Sequence, residues 1–124
     1  MPVQIAENVY WVGAVDWEVR NFHGHTYHTH RGTSYNAYLI VDDRIALVDT
    51  VMPGFEKEMF RRIAEIVDPA RIDYLIANHG ELDHSGAIPA SSRISPFSSP
   101  YLAASIRAFA SPATMLVLMS WMAP

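Results

Sequence analysis

Six consecutive residues, His79-Gly80-Glu81-Leu82-Asp83-His84, put two imidazoles and two carboxylates into one short stretch. In an extended chain His79, Glu81 and Asp83 alternate and so face one side. His84 can turn toward the same cavity where the chain enters a helix near Gly86. Four such donors exceed what one catalytic ion takes if it is to keep an open position. They suit two adjacent ions that share a bridge. Nitrogen and oxygen donors without sulfur suit iron, manganese or zinc. The bland alternative is a solvated loop whose histidines and acids pair with one another. Against it stands the position of the string, immediately after a buried strand, where layered α/β folds place ligands.

The elements that must hold this string are legible from periodicity. Residues 3–14 (VQIAENVYWVGA) read as strand, turn at Glu7-Asn8, strand. Residues 35–41 and 44–50 read as a hairpin with Asp42-Asp43 as a two-residue connection. Over 53–67, Phe55, Met59, Ile63 and Ile66-Val67 recur at helical spacing after Pro53, and Pro69 closes the helix. Residues 72–78 (IDYLIAN) read as a buried strand of the kind found in the middle of a sheet. The order implies a layered α/β domain.

Composition limits the function classes. The chain has 124 residues, about one domain, and a net charge of -4. Phosphate binding needs a basic surface, so nucleic acid is not an expected partner. Absence of cysteine excludes disulfides, thiolate zinc sites, Cys-ligated iron–sulfur clusters and a cysteine nucleophile. No signal-like start and no long apolar run is present, so a cytoplasmic, membrane-free protein is expected. The charge is uneven. Residues 1–84 hold all 13 acids and all six histidines and sum to -6, whereas 85–124 hold only Arg93 and Arg107. This divides the chain into a domain at 1–90 and a Ser/Pro-rich apolar tail at 91–124, irregular or with short helices at 101–109 and 113–122. The tail is expected to be a truncated or frameshifted end.

Other residues carry weaker signals. His23, His25, His28 and His30 form a second cluster, either a loop over the metal cavity that supplies protons, an adventitious metal site, or a solvated loop. The solvated reading suits His28 and His30. Tyr35, Asn36 and Tyr38 are expected to serve packing and backbone hydrogen bonds. Trp11, Trp17 and Phe22 suit a core or an interface. Met115, Met119, Met122 and Trp121 give an apolar end.

The string HxExDH resembles the metal motif HxHxDH of the metallo-β-lactamase fold, with Glu81 in place of the third-position histidine. That swap resembles the flavodiiron proteins, also called A-type flavoproteins or rubredoxin:oxygen oxidoreductases. VYWVGAVDW (9–17), FHG (22–24), GTSYNAYLIVDD (32–43), ALVDTV (46–51) and VDPARIDYLIANH (67–79) extend the likeness over about residues 1–90. It implies the N-terminal half of an αββα-type metallo-β-lactamase fold. It also implies a di-iron centre that reduces dioxygen to water or nitric oxide to nitrous oxide. His79 and Glu81 would bind one iron, Asp83 and His84 the other. Asp49 would orient the metal loop through hydrogen bonds, or serve as a turn or cap acid. His25 is the candidate catalytic residue, since the family carries a histidine near the irons at His23 or His25. A rubredoxin-like or flavin reductase donor, FMN in a C-terminal flavodoxin-like domain, and head-to-tail homodimers are further implications.

The family completes its site with a bridging aspartate and two histidines from later in the chain. No His, Asp or Glu follows His84 here. The chain alone is therefore expected to be an inactive N-terminal fragment. The alternatives are a metal-dependent hydrolase of the same fold, which Glu81 disfavours, or a non-functional truncated product.

Overall fold

The computed structural model of the chain describes residues 1–22 and 26–94. The readings for His23, His25, the helices at 101–109 and 113–122, and the terminal methionines lie outside the described residues.

Strands β1 (Val3–Ala6) and β2 (Val9–Trp11) pair antiparallel around a turn in which Asn8 takes φ +59°. Asparagine is among the few side chains that tolerate this left-handed geometry. β3 (Ala14–Asp16) and β6 (Thr33–Tyr35) form a separate two-stranded ribbon, and β4 (Asn21–Phe22) with β5 (Tyr27–His28) forms another. β7 (Tyr38–Val41) and β8 (Ile45–Val48) are the hairpin read from the sequence. Its register pairs Val41 with Ile45, so three residues, Asp42 to Arg44, make the connection instead of two. The Asp42 N–H reaches the Arg44 carbonyl to close it. The strand expected from residue 35 breaks at Asn36-Ala37, because Tyr35 belongs to the ribbon with β3.

Helix α1 (Glu56–Ala64) buries Met59, Arg62 and Ile63. Glu56 and Glu58 sit in its first turn and Arg61 and Arg62 in its last, each sign where the helix dipole favours it. The helix stops before Pro69, which instead opens a 3-10 turn, Pro69–Arg71, capped by the Asp68 side chain. β9 (Tyr74–Ile76) then joins β8 in parallel, which gives the sheet order β1-β2-β7-β8-β9. Among the described residues β9 ends that order; it is not flanked on both sides as its apolar sequence implied. α2 (Leu82–Ser85) and α3 (Ile88–Ile94) follow. α3 runs across the compositional boundary at 90/91.

The core is one cluster that includes Val12, Leu39, Leu47, Val51, Met59, Ile63 and Leu75. Leu39, Leu47, Met59 and Ile63 are fully buried, each stabilising the fold by about 1.5–3 kcal/mol. A charged group crosses this core at Arg62. Its guanidinium donates to the Gly13 carbonyl at 2.7 Å, pairs with Glu58 at 2.6 Å and lies 5.0 Å over the Trp11 ring. The helix is thereby tied to the loop after β2. A buried charge is tolerated when it is paired and hydrogen-bonded in this way.

Candidate metal centre

The site begins where β8 ends. Asp49 adopts φ +57°, an uncommon backbone state for a residue with a side chain. The bend aims its carboxylate across to the next strand. Oδ1 accepts the Asn78 N–H at 2.7 Å, and Oδ2 meets the His84 Nδ1 at 3.2 Å. Thr50 works beside it. Its N–H and its Oγ1 both donate to the His84 carbonyl at 2.7 Å, and Oγ1 accepts the Ala87 N–H at 3.1 Å. Asp49 is 6% exposed and Thr50 fully buried. Two adjacent side chains thus fix both ends of the string 78–84. Asp49 fills the orienting role that the family likeness implied. Thr50 was not singled out from the sequence; the one signal for it is a hydroxyl directly after an acid at a strand end. Gly86 completes the seat: a methyl there would collide with Pro53.

The donors lie on this support as two pairs. His79 Nε2 is 3.1 Å from Glu81 Oε1, and His84 Nε2 is 3.4 Å from Asp83 Oδ2. The two imidazole rings stand 5.2 Å apart. Two donors bound to one ion at about 2.1 Å, and roughly 90–110° apart, are separated by about 3.0–3.4 Å. Each pair therefore has the spacing of two neighbouring ligands on one ion. The Asp49 carboxylate selects the Nδ1–H tautomer of neutral His84, in which the Nε2 lone pair is left for a metal. Donor types and spacing fit two ions with nitrogen and oxygen ligation. No group of three or more candidate donors around a single point exists among the described residues. What the described residues offer is two N/O pairs and no larger donor group.

One local expectation is corrected. The string is not extended through Asp83. Helix α2 begins at Leu82, with the His84 and Ser85 N–H groups donating to the Glu81 carbonyl at 2.9 Å. The Ser85 hydroxyl also donates to the Gly80 and Glu81 carbonyls at 3.0 Å. These carbonyls would otherwise face solvent, and the turn that satisfies them rotates Asp83 and His84 onto a helix. Glu81 and Asp83 line a cavity of about 360 Å³ with Phe22, Met52, Gly80 and Leu82. His79 and His84 are not among its lining residues.

Beneath the ribbon β3/β6, the buried Tyr35 donates its hydroxyl to Asp16 Oδ2 at 2.7 Å. Burial, then the Asp16 hydrogen bond, then the charges of Asp16 and Asp83 push the Tyr35 hydroxyl far above its ordinary range. It stays protonated as a donor. Burial resists ionisation of Asp16, but the Tyr35 bond, the Glu18 and Val19 amides and the Arg20 charge outweigh it and hold the carboxyl below its ordinary value. Tyr35 and Asn36 were expected to serve packing and backbone hydrogen bonds; both instead bond side chain to side chain, Asn36 Oδ1 accepting from Trp11 Nε1 at 2.9 Å.

Residues 30–122 match the family described as the metallo-beta-lactamase superfamily. The chain belongs to that superfamily. It is 56% identical over 95 residues to the nitric oxide reductase of Moorella thermoacetica, a span of 77% of this chain and 24% of that protein. It is 49% identical over 88 residues to the anaerobic nitric oxide reductase flavorubredoxin of Aeromonas hydrophila, 71% of this chain and 18% of the relative. Among solved structures it superposes on the rubredoxin oxygen:oxidoreductase of Desulfovibrio gigas with a TM-score of 0.78 and 37% identity, over 95% of this chain and 31% of that one. The flavodiiron protein of Giardia intestinalis gives 0.74 and 32%, over 95% and 30%. The chain thus spans about a quarter or less of the length of these curated relatives. The metallo-β-lactamase fold and the flavodiiron likeness read from HxExDH are both borne out. No helix among the described residues is long and apolar enough to cross a membrane.

Proposed function

We propose that this chain carries half of the ligand set of a di-iron oxidoreductase that reduces nitric oxide, dioxygen or both. The observation that supports it is the pair of N/O donor couples, His79–Glu81 and Asp83–His84, with rings 5.2 Å apart and His84 held by the Asp49 carboxylate. His79 and Glu81 would hold one iron, Asp83 and His84 the other. A bound iron pair would supply the electrons for reduction of a diatomic substrate. The chain's own contribution is positional. Asp49 fixes the His84 tautomer and Thr50 fixes its backbone. Glu81 and Asp83 bring hard anionic oxygen, which favours the oxidised metal over a third imidazole. The apolar wall of Phe22, Met52 and Leu82 suits a small uncharged substrate. His25 is the proton donor of this reading. The name rubredoxin oxygen:oxidoreductase supports a rubredoxin-like electron source, with a flavin reductase as the other donor of this reading. FMN in a flavodoxin-like domain, a head-to-tail homodimer and a cytoplasmic setting belong to the same proposal.

Two donors per ion do not hold iron through redox cycling. The 124-residue chain alone is expected to bind iron weakly and to show no reductase turnover. The test loads the full chain with Fe(II) under anaerobic conditions and measures retained iron and reductant-driven uptake of oxygen and nitric oxide. Weak iron binding that Glu81→Ala and His84→Ala each abolish supports the ligand assignment. Iron binding indifferent to both variants overturns it. Two tightly held irons with turnover above free iron would instead show that the chain has further ligands.

A further inference from the structure

Outside the metal centre, the hairpin β4/β5 carries a second pair of imidazoles, His28 and His30. Both are exposed, with Thr29 between them half-buried. Thr29 is pinned on three sides. Its N–H donates to the Arg20 carbonyl at 2.8 Å, its Oγ1 donates to the Gly32 carbonyl at 2.7 Å, and the same oxygen meets the Arg31 N–H at 3.4 Å. The Thr29 hydroxyl closes a turn over Arg31 and Gly32, and the imidazoles on either side of it both stand exposed. The two rings meet edge to face with centroids 5.0 Å apart. Two imidazoles in neighbouring positions on one ion set their ring centres roughly 4.5–5.5 Å apart. The His28 Nδ1 lies 3.1 Å from Asn21 Oδ1. That oxygen can only accept, so Nδ1 carries the proton and the Nε2 lone pair faces outward. A carboxamide behind the ring is the kind of support that fixes the tautomer of a metal-binding histidine.

We propose that His28 and His30 form a second, open metal site that binds a borderline divalent transition ion such as Cu2+, Ni2+ or Zn2+. Imidazole pairs select these ions over Mg2+ or Ca2+. Water fills the remaining positions. The site is separate from the His79–His84 string in residues and in donor type, having no carboxylate, and it does not depend on the reductase reading. Thr29 and Asn21 are its positioning residues.

The probe is Cu2+, titrated calorimetrically into the full chain with His23, His25, His79 and His84 replaced by alanine so that His28 and His30 are its remaining imidazoles. The expected result is one copper site per chain, with an electron paramagnetic resonance spectrum that shows two equatorial nitrogens. His28→Gln and His30→Gln should each weaken binding tenfold or more, and Thr29→Ala should weaken it less, with circular dichroism unchanged. Affinity within twofold of the parent in both glutamine variants overturns the site. So does loss in only one of them, which would mean a single histidine and no chelate.

Discussion

The strand end at Asp49-Thr50 and the donor string at 79–84 serve one site but are built in opposite ways. The strand end is sealed. Asp49 and Thr50 are almost inaccessible to solvent and make six hydrogen bonds between them to Asn78, His84 and Ala87. The donors are more open: the His79 side chain is 53% exposed and Glu81 49%, with Asp83 and His84 at 30%. Rigidity therefore resides in the residues that orient the ligands. The proposed ligands are the more accessible part, as the proposed metal site requires. A buried hydrogen-bonded group costs far more to remove than an exposed one. Stability and metal binding should consequently respond to different residues.

The largest effect on stability is expected at Asp49. Asp49→Ala strands the Asn78 amide and frees His84, costing about 2–3 kcal/mol, and should weaken metal binding about 10–100-fold. Urea unfolding and metal titration of the same variant check both. Thr50→Val keeps the shape but removes the hydroxyl that serves His84 and Ala87, for a cost of about 1–3 kcal/mol, and Thr50→Ser should recover most of it. A neutral Thr50→Val would break the comparison, since it would show that the seal is not what holds the string.

A smaller effect is expected in the ribbon, which tests whether sealed polar groups matter away from the metal. Tyr35→Phe should cost about 1 kcal/mol near neutral pH. The sign of the pH effect follows from Asp16. Its folded value lies below the ordinary 3.8, so its stabilisation is fully present above that value and is lost as pH falls through the folded one. Without the Tyr35 bond the Asp16 value rises, and acid unfolding of Tyr35→Phe should begin at higher pH than in the parent. Midpoints of urea unfolding between pH 3 and 7, a range set by carboxylate titration of about pH 4, read this directly. The smallest stability effect belongs to the open donors. Glu81→Gln should change stability by under about 0.5 kcal/mol while it lowers iron affinity. Destabilisation of Glu81→Gln as large as that of Thr50→Val would mean that the string is structural and not a ligand set.

The sequence by itself determined the pieces whose cause is local. The turn at Glu7-Asn8 marked β1 and β2, alternation marked the β7/β8 hairpin, and helical spacing of Met59 and Ile63 marked α1. The donor string could be read at once, since four ligand types within six residues after an apolar strand need no partner to be noticed. Boundaries failed for two reasons: Tyr35 leaves the β7 strand because the distant β3 captures it, and Asp83 and His84 leave the extended string because a local turn satisfies the backbone groups at Gly80 and Glu81. Only the tertiary structure decided which residues hold the donors. Asp49 and His84 are 35 positions apart, and no periodicity links them. They meet because β9 pairs in parallel with β8, Val48 opposite Ile76, which puts both strand ends at the same edge. The same is true of Arg62, a helical charge whose guanidinium is buried against Gly13 and Trp11. Pattern along the chain sets which face a residue presents; sheet register sets what that face meets.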